Sequence, residues 1–339
     1  MSATNIVRKA LKVAKTEGLG ELAKKAVQRL REDKFAVPAK LDMVVVEVTT
    51  YCNLKCAGCV RTVMSKEEGQ WEDRHVDVDD FRRMINDLPP AKSLIPQGIG
   101  EPTMHPRILE LLGIARSANK FDRIEINTNG LVRSTDFYGQ LFEAGLTNLT
   151  VSVDSLDDDV IEIVRSGTEI PKLEKRLKEF SARFPGKIGI RVTVSKWNID
   201  RLPALLAKLN RIGSFDVWLQ PFFDMGNGGG VLDKDEADAL VKGLDALTAP
   251  FGNLKVLAEP FERSEEVCTS PWRSPAIRVD GQVKPCCMIF YQEKIEFGNA
   301  FTTPFNDLWN SERVAEFRED FAKKSPDCCS RCPYFKQRH

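Results

Sequence analysis

The chain has 339 residues, 42% hydrophobic and 29% charged, the composition of a folded globular protein and not of a disordered or fibrous one. Lys+Arg and Asp+Glu both number 49, so the formal net charge is zero and no overall field is available to hold a nucleic-acid backbone. No run approaches the roughly eighteen uncharged apolar residues of a membrane helix, and Arg8, Lys9, Lys12 and Lys15 interrupt any signal-peptide core, so a cytoplasmic location is expected.

Residues 4–34 read as a basic amphipathic helix or helix pair, with Val7, Leu11, Ala14, Leu22, Ala26 and Leu30 near a helical period and Pro38 ending it. Such a helix suits packing on a main domain, or contact with a membrane surface or a partner. From residue 43 short β-branched runs alternate with amphipathic stretches, the pattern of βα units and a parallel sheet. Strands are predicted at 43–48, 93–98, 122–127, 148–153, 188–194 and 215–220, and helices at 79–88, 106–119, 134–144, 157–164, 171–182 and 199–211. Eight such units close a full barrel. Six predict an α/β fold in the form of a partial (β/α)6 TIM-like barrel, open on one side. The glycine-rich run 226–230 lacks the lysine and spacing of a phosphate loop and reads as a lid or linker before a helix near 233–248. Beyond about 258 the texture turns to hairpins, with Asp280-Gly281 between short apolar runs. Three regions are expected: a helical extension over 1–40, a partial barrel over 41–257 and a small cysteine-rich module over 258–339.

The chemistry lies in the nine cysteines. Cys52, Cys56 and Cys59 form CX3CX2C directly after the first strand, at the end of the barrel where such folds carry their active sites. In a reducing compartment clustered cysteines are more often metal or cluster ligands than disulfides, and an odd total precludes complete pairing. Three thiolates can hold three irons of a four-iron cluster and leave the fourth iron open. A structural zinc would need a fourth ligand, and the next histidine, His75, lies across a polar loop. The other six, Cys268, Cys286, Cys287, Cys328, Cys329 and Cys332, offer enough thiolates for a second, closed cluster.

The segment from Val46 to Cys59, with Asn53-Leu54 after its first cysteine, resembles the cluster loop of radical S-adenosylmethionine (SAM) enzymes. Gly98-Ile99-Gly100-Glu101-Pro102 is similar to that family's GGEP element, with the first glycine displaced by one position. Asn127-Thr128-Asn129-Gly130, Ser152-Val153-Asp154 and Arg191-Val192-Thr193 follow in the order in which the family grips the ribose and carboxylate of SAM. The resemblance covers about residues 42–225. It implies a catalytic 4Fe-4S cluster on Cys52, Cys56 and Cys59, and SAM held by Gly100, Glu101, Thr128, Asn129, Ser152, Asp154 and Arg191. Gly58 departs from the aromatic residue that the family often carries there, near the adenine.

Further on, Cys268-Thr269-Ser270-Pro271-Trp272, the run from Asp280 to Cys287, Phe297-Gly298-Asn299 and Leu308-Trp309-Asn310 resemble a SPASM or shortened twitch module. That resemblance implies one auxiliary 4Fe-4S cluster on Cys268, Cys286, Cys329 and Cys332. The GX4C and CX2C spacings favour Cys286 and Cys329, and the choice against their neighbours Cys287 and Cys328 stays open.

The family implies a 5′-deoxyadenosyl radical that abstracts hydrogen from a C–H bond, fed by a flavodoxin- or ferredoxin-type reductant. A small polar substrate, a sugar or aminocyclitol, is expected, because the auxiliary module is short and no separate peptide-binding domain is expected before the barrel. Cys287 is the candidate hydrogen donor that would make the outcome an epimerisation; without a donor it is a dehydrogenation. Maturation of a ribosomally made peptide is the alternative enzyme reading, and a non-catalytic iron–sulfur electron-transfer protein the alternative of another class.

Several polar residues carry lesser expectations. Glu47 and Thr49 share one face of a valine-rich strand and are predicted to point into the barrel, where a buried carboxylate needs a partner, Arg191 or a substrate. Arg165-Ser166-Gly167-Thr168 suits either a carboxylate contact or a helix-ending turn. Gln97, Gln220 and Asp224 lie near strand ends as candidate substrate partners, and His105 is expected to cap the helix that follows it.

Overall fold

The computed structural model describes residues 35–65, 71–224, 229–261, 268–291 and 295–327, together with Cys329, Cys332, Tyr334 and Phe335. The expected helix at 4–34, residues 226–228 of the glycine run, and Cys328 lie outside the described residues. Residues 40–339 form one compact unit.

Seven parallel strands make the frame: β1 (Leu41–Val46), β2 (Ala91–Ile95), β3 (Phe121–Thr128), β4 (Asn148–Ser152), β5 (Ile188–Val194), β6 (Phe215–Pro221) and β7 (Leu254–Ala258). Each pairs with the next in chain order. A hairpin of two short strands, β8 (Ala276–Ile277) and β9 (Val283–Lys284), then joins the other edge, with β8 parallel to β1. The resulting order, β7-β6-β5-β4-β3-β2-β1-β8-β9, is an open sheet and not a closed barrel. All six predicted strands are present, and 188–194 coincides residue for residue. The seventh, β7, was not expected. Its sequence LKVLA is mostly exposed and has no long apolar run, so only its pairing with β6 reveals it.

The crossovers carry helices α1 (Val60–Met64), α2 (Val78–Asp87), α3 (Ile108–Ser117), α4 (Thr135–Glu143), α5 (Asp158–Val164), α6 (Ile170–Arg183), α7 (Leu202–Ile212) and α8 (Lys234–Thr248). The C-terminal part adds α9 (Ser270–Arg273), α10 (Phe305–Trp309) and α11 (Glu312–Lys323). Local signals set their ends. The Asp77 carboxylate accepts from the backbone N–H groups of Asp79 and Asp80 and caps α2, and Asp233 with Glu236 forms a capping box on α8.

Alternation along the strands separates two faces. Ile124, Ile126, Leu149, Val151, Ile190, Val192, Val217 and Leu219 are buried, each such side chain contributing about 1.5–3 kcal/mol. Their neighbours Glu125, Asn127, Thr150, Ser152, Arg191, Thr193, Trp218 and Gln220 are only half-buried and line the other, polar face. Strand β1 is the exception, buried on both faces. Val45 packs with Ala276 of β8 and with Phe290, so the C-terminal part covers one side of the opening.

Candidate active site

The loop that follows β1 carries Cys52, Cys56 and Cys59, and it is tied to the ends of β2 and β3 and to the turn after α5. Glu101 N–H donates to Tyr51 O at 2.8 Å, Asn129 Nδ2 to Asn53 Oδ1 at 2.7 Å, and Lys55 N–H to Ser166 O at 3.0 Å. A Cβ on Gly100 would stand 2.4 Å from Thr49 O and 2.7 Å from Tyr51 O, so the loop after β2 reaches the cysteine loop only because residue 100 has no side chain. Gly58 is similarly enclosed: a Cβ there would lie 2.3 Å from the Phe222 ring, so the aromatic group at this point of the loop comes from the end of β6.

The three thiols are half-buried and free. Burial pushes Cys52 up to about 11 and Cys56 up to about 12, with the nearby Arg165 guanidinium pulling Cys56 the other way. The thiols also raise one another, which marks them as neighbours. Among the described residues no three Cys, His, Asp or Glu side chains converge on a single-ion site. Three soft thiols around one loop are a donor set suited to a multi-iron cluster with one iron left open. Both titrations lie above neutral pH, so loading such a cluster must release protons.

Beside this loop stands Glu101, 3% exposed. Its Oε1 accepts from Thr103 N–H at 3.1 Å, Thr103 Oγ1 at 2.6 Å and Thr128 Oγ1 at 2.7 Å, while Oε2 accepts from Asn129 N–H at 2.7 Å. Bonds to an ionised acceptor contribute about 1.5–3 kcal/mol each, which offsets the desolvation of the carboxylate. Gly100, Glu101, Thr128 and Asn129, singled out from the sequence, are therefore brought together.

The remaining expected cofactor contacts divide into two groups. Asp154, 6% exposed, accepts Arg165 Nε at 2.7 Å and Thr193 N–H at 2.6 Å. Arg165 is thus a half-buried partner of Asp154 beside Cys56, and it also stands in the helix-ending turn expected there, as the C-cap of α5 with Gly167 at positive φ. Arg191 donates to Gln220 Oε1 at 2.7 Å and Glu259 Oε1 at 2.6 Å, and Tyr334 Oη donates to Glu259 Oε2 at 2.7 Å. Arg191 therefore belongs to an array spanning β5, β6, the end of β7 and the C-terminal part, and this array meets the Asp154–Arg165 pair at Thr193, whose hydroxyl accepts from Gln220 Nε2 at 2.9 Å. Ser152 is paired in register with Arg191 across β4 and β5.

Glu47 is fully buried, yet Arg191 is not its partner. It accepts from Ile99 N–H at 3.0 Å, Val279 N–H at 3.1 Å and Tyr291 Oη at 2.7–2.8 Å. Burial raises its pKa above the ordinary value despite these donors. The carboxylate is a three-way junction between β1, the loop after β2 and the C-terminal part. Thr49 turns to His75, whose Nδ1 lies 2.8 Å from its hydroxyl. His105 does not cap α3 as expected: Arg107 is the N-cap residue and no side chain caps the helix, while His105 Nδ1 accepts from Arg107 N–H at 3.1 Å, just before the helix, which leaves Nε2 to donate to Val76 O at 3.1 Å. Gln97 is occupied by the backbone N–H of Asn127 at 3.0 Å.

A second thiol site lies in the C-terminal part. One cavity is lined by Cys268, Cys286, Cys329 and Cys332 together with Pro271, Ile289, Phe317, Phe321 and Phe335. These are the four cysteines favoured by spacing. Cys287 is absent from that lining and packs instead against Val45, Ala276 and Phe290, with burial pushing its thiol up to about 11. Four thiols in an aromatic, water-poor enclosure fit a closed iron–sulfur cluster. Glu259, Tyr291 and Tyr334 escaped the sequence reading. Glu259 follows the unrecognised β7, and neither tyrosine sits in a spacing that marks it.

Comparison with known proteins agrees with this geometry. The radical SAM superfamily pattern matches residues 46–209, and the SPASM iron–sulfur cluster-binding domain matches residues 268–333. The chain is 29% identical over 305 residues to the tungsten-containing aldehyde ferredoxin oxidoreductase cofactor-modifying protein of Pyrococcus furiosus, covering 80% of this chain and 82% of that protein. It is 24% identical over 314 residues to the antilisterial bacteriocin subtilosin biosynthesis protein AlbA of Bacillus subtilis, covering 85% and 64%. Among solved structures, Streptococcus suis SuiB bound to S-adenosylmethionine has the same fold, with a TM-score of 0.66, 18% identity, and coverage of 98% of this chain and 88% of that one.

Proposed function

Because the chain belongs to the radical SAM superfamily, with a catalytic 4Fe-4S cluster, SAM and an auxiliary cluster in a SPASM module, we propose that it acts on a C–H bond of a small polar molecule held against the polar face of the open sheet. The observation that carries this reading is the array of Arg191, Gln220, Glu259 and Tyr334, which offers charged and neutral hydrogen-bond groups at the C-terminal ends of the strands. When bound, the catalytic cluster and SAM supply the one-electron chemistry that breaks an unactivated C–H bond.

The chain's own residues have distinct tasks in this proposal. Cys52, Cys56 and Cys59 hold the catalytic cluster. Glu101 fixes the loops of Thr128 and Asn129 around the amino end of SAM, Gly100 admits its backbone, and Arg165, oriented by Asp154, faces its carboxylate, with Ser152 at the same strand end. Arg191 passes from the cofactor to the substrate side, since Glu259 and Gln220 already hold it there. Cys268, Cys286, Cys329 and Cys332 hold the auxiliary cluster. Cys287, which packs near Val45, Ala276 and Phe290 with its thiol still in electrostatic range of Cys268 and Cys332, is the hydrogen-atom donor: its S–H bond breaks as the substrate C–H bond forms, giving epimerisation, and one electron from the reductant with one proton restores the thiol; without that donor the outcome is dehydrogenation. The regions 41–257 and 258–339 divide these tasks as barrel and auxiliary module, and the reductant is a flavodoxin or ferredoxin.

The test is anaerobic incubation of the reconstituted protein with SAM and dithionite, with 5′-deoxyadenosine followed by mass spectrometry. Formation should rise on adding a low-molecular-weight metabolite extract. No 5′-deoxyadenosine above background would end the proposal. A second reading, maturation of a ribosomally made peptide, is favoured by the similarity to AlbA along 85% of the chain; stimulation by a peptide fraction alone would select it.

A further inference from the structure

Four arginines among the described residues have a buried side-chain nitrogen without a hydrogen-bond partner: Arg176, Arg191, Arg278 and Arg318. Three of them have a carboxylate close by, Arg176 with Glu179 at 3.9 Å, Arg191 with Glu259 at 2.6 Å and Arg278 with Asp280 at 3.1 Å. Arg318 on α11 differs. It is 8% exposed, its Nε donates to Pro271 O at 2.9 Å, and its guanidinium lies 4.6 Å from the centre of the Trp309 ring. One terminal nitrogen is unsatisfied, and no carboxylate among the described residues pairs with it. Burial alone pushes its pKa down to about 10, with no acid counteracting it. The buried Lys284 nearby in sequence to Cys286 has Glu296 at 3.5 Å and poses no such problem.

A buried cation without an anion is costly. The position of Arg318 suggests where the missing negative charge lies. Pro271, whose carbonyl it holds, lines the four-thiol cavity, and so do Phe317 and Phe321 on either side of it in α11. A 4Fe-4S cluster with four thiolates carries net negative charge, and gains one more on reduction.

We propose that Arg318 is the built-in counter-charge of the auxiliary cluster, set one residue behind the cavity wall and holding the cluster's reduced form within reach. The inference rests on assigning that cavity to the auxiliary cluster. In a low-dielectric surround the attraction extends beyond direct contact and favours the reduced state. Arg318 is thus a positioning and tuning residue, touching neither substrate nor SAM.

The experiment is a redox titration of the full-length, reconstituted protein, following both clusters by electron paramagnetic resonance. In Arg318→Met the auxiliary midpoint should fall by at least about tenfold in the reduction equilibrium, about 59 mV for one electron, while the catalytic midpoint stays in place. Arg318→Lys, which keeps the charge, should stay near the parent. An unmoved auxiliary midpoint in Arg318→Met, or equal shifts in both variants, would overturn the inference. Stability supplies a second readout: Arg318→Met should raise the urea midpoint of the cluster-free chain, which then loses an uncompensated charge, and lower that of the loaded chain. A loss in both states, or failure of the cluster-free variant to fold, would count against the proposal. One cluster's worth of iron in the parent would remove the cavity assignment and this inference together, whereas two clusters with an unmoved potential would remove only the role of Arg318.

Discussion

The two thiol sites are built on opposite plans. Cys52, Cys56 and Cys59 come from one short loop, half-buried, bordered by Glu101, Asp154 and Arg165 and anchored to the loops that follow the strands. Cys268, Cys286 and the Cys329–Cys332 pair come from three separate segments and meet in a cavity walled by Phe317, Phe321 and Phe335. A contiguous loop on a rigid sheet can leave one coordination position for a reactant. Ligands gathered from distant segments meet only where the tertiary fold brings those segments together, so they enclose whatever they bind. Openness thus goes with local construction and closure with non-local construction.

The largest effect that sharpens this contrast is expected at the first site. Cys56→Ala should reduce SAM cleavage to background while leaving the auxiliary cluster's signal, read by 5′-deoxyadenosine formation and by iron content. At the second site the paired variants Cys286→Ala and Cys287→Ala should differ sharply. The former loses the auxiliary iron, and hydrogen exchange should show the 268–327 region opening while β3–β6 stay protected. The latter keeps all its iron and loses only deuterium delivery to product in D2O. Equal iron loss in both variants would break the distinction between cavity and sheet-facing thiols.

A smaller change is expected from Arg165→Met. Loss of a charge-assisted contact of about 1.5–3 kcal/mol should raise the SAM concentration for half-maximal cleavage by about 10–100-fold, with cluster content unchanged. The smallest effect lies at the junction between the two sites. Burial raises the folded-state pKa of Glu47 above 4.5, so the stability its protonated form confers is fully present below pH 4.5 and is lost as pH rises through the raised value. Glu47→Gln cannot ionise. Its melting temperature relative to the parent should therefore rise from acid to neutral pH, and a constant difference would show that Glu47 does not titrate in that window.

Much of the catalytic half was legible because its chemistry is local in sequence. The CX3CX2C spacing, the Gly100-Glu101 pair, Thr128-Asn129 and Asp154 each sit just after a strand, and alternation predicts the strands themselves. Six strands were read in this way. Strand β7 was not, since a five-residue, solvent-facing edge strand has no pattern of its own, and with it went Glu259. Arg191 shows the same limit from the other side: alternation places it on β5, but its carboxylate partner Glu259 lies 68 residues away and no local spacing announces it.

The sequence by itself determined the parallel α/β frame, the two families of thiols and the order of loops around the first, because strand period and ligand spacing act over a few residues. Only the tertiary structure decided which of Cys286 and Cys287 lines the four-thiol cavity, that Glu47 joins β1 to Val279 and Tyr291, and that Arg318 is buried with no acid beside it among the described residues. Adjacent residues share a sequence context but point in different directions. A buried charge is balanced by whatever the fold brings beside it, at any separation along the chain.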